Sequence, residues 1–280
     1  MTASAGTTIW RDLIHKPFFW GIVAILALLA LNVIKDPTYL ALSINPNNGN
    51  LVGNLIDILR QAAPIMMIAI GMSLVIATGG IDLSVGSLMA VAGAVSMEFL
   101  SAAGDSFGAA LAAVGLALVI TGILGAVNGL LVAYVGLQPF IATLVLMLAG
   151  RGIAKVITGG QNTTASNDAF RWIANGFVIG IPVVFILAVL IVIAVGWVVR
   201  RSALGLMIEA IGINPRASRM AGIKPKGLLL TAYIMSGILA GIAGIMSVGS
   251  VMTVDISRTG YQLELDAVSY THLRAHETKA

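Results

Sequence analysis

Long apolar runs alternate with short polar stretches along most of the chain. The runs cover residues 18–34, 55–78, 83–100, 107–134, 139–157, 178–199 and 228–251. Each approaches or exceeds the roughly 20 helical residues that cross a hydrocarbon core about 30 Å thick. Lipid offers the backbone no hydrogen-bond partner, so spanning segments must be helices or closed barrels. Runs of this length predict an all-α, polytopic helical bundle with about seven transmembrane helices. The first run lies between Lys16 and Lys35 and has the outline of a secretory signal. No small-x-small cleavage pattern follows it and further spans do, so it reads as a retained first helix.

Composition agrees with that pattern. Of 280 residues, 58% are hydrophobic and 10% charged, against the roughly 25% charged usual in soluble domains. The 32 glycines suit membrane helices, which approach closely where small residues face each other. The absence of Cys removes disulfides, thiolate metal sites and cysteine nucleophiles. A net charge of +4 does not point to nucleic acid, because the cations cluster beside apolar runs as membrane orientation requires. Arg11 and Lys16 precede the first span, and Arg200, Arg201, Arg216, Arg219, Lys224 and Lys226 crowd the connection between the sixth and seventh. Both segments are expected on the cytoplasmic side. The six spans between them agree with that placement, since an even number returns the chain to the same face.

The stretch Thr78-Gly79-Gly80-Ile81-Asp82-Leu83-Ser84-Val85-Gly86-Ser87 lies between two apolar runs with almost no room for an aqueous loop. Its glycines free the backbone from helix, and Asp82 can accept the otherwise orphan N–H groups of Ser84 or Val85. Non-helical backbone at membrane depth survives only where protein or a water-filled cavity satisfies it, and discontinuous helices mark substrate sites in transporters. A discontinuous helix near Gly79-Gly80 is therefore one reading, and a tight cytoplasmic turn with an ordinary Asp cap is the other. A second Thr158-Gly159-Gly160, followed by polar residues to Asp168, is either an external gate or docking surface, or a solvated turn. Asn128 and Gln138-Pro139-Phe140 bracket a short reversal, with Pro139 suited to the first turn of the next helix. Asn128 can equally bridge helices. Arg151, Lys155 and Glu98 lie near span ends, where snorkelling to the interface is expected of them.

The connection after the sixth span mixes apolar with basic residues. Asn214 is placed to cap one or two helical turns opened by Pro215. Met207, Ile208, Ile211, Met220 and Ile223 are expected to be buried, giving an amphipathic element offered to a cytoplasmic partner or adsorbed to the membrane surface. Motifs for phosphate loops, zinc hydrolases and serine nucleophiles are missing, and His15, His272 and His276 all fall outside the spans. No catalytic, metal-ligating or cofactor-binding residue is expected on this chain.

Several stretches resemble the ribose/galactose-type family of ABC sugar importer permeases, and within it the galactofuranose importers. They are Ile56-Asp57-Ile58-Leu59, the run from Ala69 to Gly86 containing Thr-Gly-Gly-Ile-Asp-Leu-Ser-Val-Gly, Gln138 to Leu144 with Ala149 to Gly152, Glu209 to Asn214, and Leu263 to Ala267. The resemblance implies a non-enzymatic permease subunit of the bacterial inner membrane, importing a monosaccharide such as galactofuranose or ribose. It implies an ATP-binding cassette ATPase carrying ATP and Mg, a second permease subunit in a homo- or heterodimer, and a periplasmic sugar-binding protein. By the same resemblance Glu209, Ala210 and Gly212 match an ATPase-coupling loop, with Asn214, Pro215, Arg216 and Arg219 in the same connection. Thr78, Gly79, Gly80, Asp82, Ser84, Asn128, Gln138 and Phe140 are the candidate translocation-pathway positions. The alternatives are an ion-coupled secondary carrier, disfavoured by the lack of paired intramembrane carboxylates, and a non-transporting scaffold.

After Val268 the family continues with apolar, Gly-rich sequence, whereas Ser269 to Ala280 is polar. By that departure the chain is expected to divide into a transmembrane permease domain, 1–268, incomplete at its C-terminus, and a non-native tail, 269–280. The tail reads as foreign sequence of the kind translated adapter or vector DNA leaves.

Overall fold

A computed structural model describes residues 17–46, 49–261 and 263. Arg11, Lys16, all three histidines and the tail from Ser269 lie outside the described residues. The chain divides near residue 58 into two units.

In the first unit, helix α1, Pro17–Lys35, is apolar on every face, the pattern of a helix with lipid or protein all round it. It closes where Asp36 Oδ1 accepts the Thr38 backbone N–H (2.9 Å) and hydroxyl (2.7 Å). A hairpin of β1, Ser43–Ile44, and β2, Leu51–Val52, follows. The division between units falls inside α2, Asn54–Ala77.

The second unit continues through α3, Val85–Ala103, and α4, Phe107–Leu130, whose last turn widens into a π-helical segment, Leu131–Val135, closed by Gly136 at φ +84°. Next come α5, Pro139–Ile157, with Pro139 at its start as expected; the short α6, Asp168–Asn175; and α7, Val183–Arg201. Helices α8, Ala203–Ile213, and α9, Pro215–Met220, precede α10, Pro225–Val251. Among the described residues six helices, α2, α3, α4 with its π turn, α5, α7 and α10, are long and apolar enough to cross a membrane. The first expected span, 18–34, corresponds to α1, whose stretch Phe19–Lys35 falls among the shorter apolar helices.

The connection before the sixth span differs most from the sequence reading. The sixth span starts at Val183 instead of 178, because Phe177–Val178 and Ile181–Pro182 pair as a hairpin, β4 and β5. The connection before it contains α6, whose eight residues alternate too briefly to register as a helix by hydropathy. Its start is capped by Asn167, whose side chain accepts the Phe170 N–H at 2.9 Å. Thr158-Gly159-Gly160 ends α5, with both glycines at positive φ and the Gly160 N–H bonded to the Lys155 carbonyl.

Small residues let α10 run through the middle of this unit. Ser236, Gly237, Ala240, Gly241, Ala243 and Gly244 repeat at helical spacing and are all buried. Gly237 meets Gly125 of α4 so closely that a Cβ on Gly237 would lie 2.5 Å from the Thr121 carbonyl oxygen and 3.0 Å from the Gly125 Cα. Gly244 meets the Met89 carbonyl of α3 in the same way. In lipid, where no hydrophobic drive brings helices together, such backbone proximity supplies the van der Waals contact that does.

Arg151 corrects an expectation. It does not snorkel: its two terminal nitrogens donate to the carbonyls of Thr259 (2.6 Å) and Gly260 (2.7 Å). The segment after α10, including β6, Thr253–Val254, which pairs with β3, Thr163–Thr164, is thereby pinned to α5. Glu98 likewise finds a partner, accepting the Thr163 hydroxyl at 2.6 Å.

Gly237→Leu is expected to lower stability by about 1–3 kcal/mol or more through overpacking, whereas Gly108→Leu, with open space around it, changes it little. Thermal unfolding of the two variants in the same detergent checks the difference.

Candidate functional site

Helix α2 ends where Thr78, buried, turns its hydroxyl back to the Val75 carbonyl (2.6 Å). Gly79 then adopts φ +80°, a conformation that costs glycine nothing and a side-chain-bearing residue about 1–2 kcal/mol. Seven residues of non-helical chain separate the two spans, and Asp82 lies among them at 1% exposure.

The Asp82 carboxylate gathers donors from two elements. Oδ1 accepts the Ser84 backbone N–H (2.9 Å) and hydroxyl (2.6 Å), and Oδ2 accepts the Ser236 hydroxyl of α10 (2.7 Å). Asn128 of α4 extends the chain of bonds, donating Nδ2 to Ser84 Oγ at 2.9 Å. Thr143 of α5 donates to the Ile81 carbonyl at 3.3 Å and to Pro139 of its own helix at 2.9 Å. The break is thus fastened to α4, α5 and α10. Among the described residues no cation forms an ion pair with Asp82; the pair that does form, Arg258–Asp255 at 3.9 Å, is exposed. Burying an uncompensated carboxylate is costly unless hydrogen bonds replace its hydration, and the three donors do that here.

Tyr233 completes the surroundings. It is fully buried, and its hydroxyl presses on Gly80, where a Cβ would lie 2.8 Å away. Its hydroxyl and Asn128 Oδ1 are buried without a hydrogen-bond partner.

Of the sequence candidates, the structure brings Thr78, Gly79, Gly80, Asp82, Ser84 and Asn128 together. The Asp82 carboxylate takes the Ser84 N–H as foreseen, and Asn128 does bridge helices. Gln138 and Phe140 are exposed at the head of α5. Thr143, three residues past Phe140, is the residue by which that helix reaches the break. Ser236, Thr143 and Tyr233 were missed, because single polar side chains inside apolar helices carry no local pattern. Their signal lay in burial, which hydropathy does not resolve.

The connection after α7 folds as two short helices. Asn214 caps α9, its side chain accepting the Arg216 and Ala217 N–H groups at 3.1 and 3.0 Å, with Pro215 in the first turn. Ile208 and Ile211 of α8 are buried as expected, but Met207 and Met220 are exposed, Met220 by 91%. The inward stripe is narrow, so Leu206, Met207, Ile213 and Met220 project outward beside Glu209, Arg216 and Arg219. Ala210 is half-buried.

Gly212 lies against the end of α2. A Cβ there would run into the Ala77 carbonyl oxygen, and the Gly79 nitrogen would be 3.6 Å away. The helix that carries Glu209 therefore touches, backbone to backbone, the residues that open the break. A cavity of about 510 Å³ flanks this contact, lined by Ser73, Ala77, Val195, Ile208, Glu209 and Gly212 among others.

Ser236→Ala is expected to cost about 1.5–3 kcal/mol, the value of a hydrogen bond to a charged group. In a double-mutant cycle with Asp82→Ala it is expected to be strongly non-additive, as read from denaturation midpoints in detergent.

A family model described as branched-chain amino acid transport system / permease component matches residues 54–271. The fructose import permease protein of Bifidobacterium longum (strain NCC 2705) is 51% identical over 267 residues, covering 94% of this chain and 74% of that protein. The galactofuranose transporter permease protein of Escherichia coli (strain K12) is 44% identical over 247 residues, 88% of this chain and 71% of that protein. The ribose import permease protein of the same strain is 36% identical over 263 residues, 89% and 74% respectively. No solved structure matches the chain.

Proposed function

We propose a transport role on one premise: the chain belongs to the family described as branched-chain amino acid transport system permease components. It is a multi-pass membrane protein of the sugar ABC permease type, and that membership sets aside the ion-coupled carrier and scaffold readings. In our reading it is the membrane subunit of an ATP-driven importer of a monosaccharide. The names of its relatives, a fructose, a galactofuranose and a ribose permease, favour a pentose or hexose. ATP and Mg are held by a separate ATPase subunit. A second permease subunit and a periplasmic sugar-binding protein complete the assembly in the bacterial inner membrane, with the N-terminus of this chain cytoplasmic.

The observation that carries this reading is the contact of Gly212 with Ala77 and Gly79. An importer needs a mechanical link between the subunit that hydrolyses ATP and the segment that gates the pathway. Glu209 and its exposed apolar neighbours offer the ATPase a surface, joined by Ala210, Asn214, Pro215, Arg216 and Arg219. Gly212 on the same helix offers the link. Thr78, Gly79, Gly80, Asp82, Ser84 and Asn128 form the receiving end, with Gln138 and Phe140 as further pathway positions. Displacement of α8 by closure of the ATPase would move the end of α2 and load the bonds that Asp82 makes to Ser236 and Ser84. Alternating access then amounts to exchange between two arrangements of this break, biased by the nucleotide state of the partner.

Proteoliposomes holding the chain, its ATPase and its binding protein are expected to accumulate labelled fructose, galactofuranose or ribose only with ATP inside. Gly212→Val should leave ATPase co-purification intact and reduce uptake at least about tenfold, the effect of losing roughly 1.4 kcal/mol of coupling. Glu209→Arg should abolish co-purification. Uptake by Gly212→Val at the wild-type rate would remove the link from the mechanism.

A further inference from the structure

A second cavity, of about 630 Å³, opens between the end of α4 and the start of α10. Tyr134, in the π-helical turn, forms one wall, and the stretch from Arg219 of α9 through Gly222 and Lys224 to Lys226 in the first turn of α10 forms the other. Lys226 Nζ stands 5.2 Å above the centre of the Tyr134 ring, a cation–π contact that fixes the ammonium at the rim. None of the three cations forms an ion pair with a described residue, and no acidic side chain lines the cavity. Gly222, at φ +85°, turns the loop so that Arg219 and Lys224 face the same space. Helix α10 starts at Pro225 without a side-chain cap, so its first N–H groups add positive potential at that end.

We propose that this cavity binds the phosphate headgroup of an anionic phospholipid. The position is the reason to prefer a lipid over a free anion. Tyr134 and Lys226 place the cavity at the ends of two spanning helices, Tyr134 is a residue type concentrated at the membrane interface, and basic pockets between spanning helices at that level are where anionic headgroups lodge. General charge bias toward the cytoplasm explains the number of cations. It does not explain why three of them converge on one concave site with a tyrosine in it, while Arg200 and Arg201 at the end of α7 line no part of it.

The test uses the full chain, reconstituted in phosphatidylcholine vesicles containing phosphatidylglycerol, re-extracted in mild detergent and assayed for bound lipid by mass spectrometry. The wild-type chain should retain phosphatidylglycerol over phosphatidylcholine. Lys224→Gln with Lys226→Gln should lower that preference by about fivefold per cation removed, and the two lysine-to-arginine changes should preserve it. Arg200→Gln with Arg201→Gln should leave it unchanged. Should the double variant fail to extract as a single species, Lys226→Gln alone is expected to show the fivefold loss. Equal loss from the Arg200 and Arg201 changes would reduce the site to diffuse surface charge and overturn the proposal. Displacement of the lipid by inorganic phosphate would overturn it in favour of a soluble anion. Unchanged lipid retention together with lost ATPase co-purification in Lys224→Gln with Lys226→Gln would overturn it in favour of a protein docking face.

Discussion

A buried carboxylate without an ion pair among the described residues holds together a join between two spanning helices whose non-helical chain is largely buried instead of facing water. Once α2 stops at Ala77, its last carbonyls and the first N–H groups of α3 need partners that lipid cannot give. Asp82 supplies acceptor atoms from within the break and draws hydroxyls toward itself from Ser84 and, across to α10, from Ser236. Each of those bonds fixes something else. Ser84, whose hydroxyl donates to Asp82, accepts from Asn128 in turn, and α4 is fastened. Ser236 can reach because Gly71 of α2 lets the two helices close to within a few ångströms; a Cβ on Gly71 would lie 3.2 Å from the Ser236 Cα. Stability and placement of the break are thus one problem with one solution.

That solution constrains α10 in two ways at once. The helix must present small residues on the face where Gly237 and Gly125 meet, and it must place a single hydroxyl one residue earlier. Ser236 and Gly237 are adjacent, so a rotation of α10 that improved packing at the glycine would withdraw the hydroxyl from Asp82. Packing in the bilayer and polar satisfaction of the break therefore select the same rotation, a consistency between levels that lets one sequence specify one arrangement. The same logic applies at Gly212, where a backbone contact takes the place of a side-chain bond between α8 and the end of α2.

Hydropathy alone located the spanning helices to within a few residues, because the length and apolarity needed to cross lipid are properties of consecutive residues. Turn chemistry was nearly as readable: Gly79 at positive φ, Pro139 at a helix start and Asn214 as a cap follow from local sterics and local hydrogen bonds. The half of the site that comes from elsewhere was not readable. Ser236, Thr143 and Tyr233 lie 62 to 154 positions from their partners or neighbours in the break, and nothing in their own surroundings distinguishes them from the hydroxyls that bond to their own helix, such as Ser96 or Thr121. Arg151 failed for a related reason. A cation near a span end is expected to reach for water unless something nearer accepts its protons, and the carbonyls of Thr259 and Gly260 arrive from more than a hundred residues away.

The two ends of the second unit solve their polar bookkeeping differently, and the difference bears on what each end meets. At the end where α3 stops and α6 lies, polar groups satisfy one another within the chain: Glu98 with Thr163, Asn167 with the carbonyls of Gly104 and Ser106, Asn175 with those of Gly249 and Ser250. At the end of α8 and α9 the six cations from Arg200 to Lys226 form no ion pair with a described residue, and Leu206, Ile213 and Met220 stand exposed among them. Long cationic side chains lose several rotamers when they are fixed, so leaving the cations other than Lys226, which stands over the Tyr134 ring, without an ion pair is inexpensive for a chain in isolation. Apolar groups exposed beside them are costly in water and gain only when covered. On the proposed coupling, these unpaired charges and uncovered apolar groups would be covered by the ATPase, and α8, through Gly212, is where that contact would be transmitted to the break around Asp82.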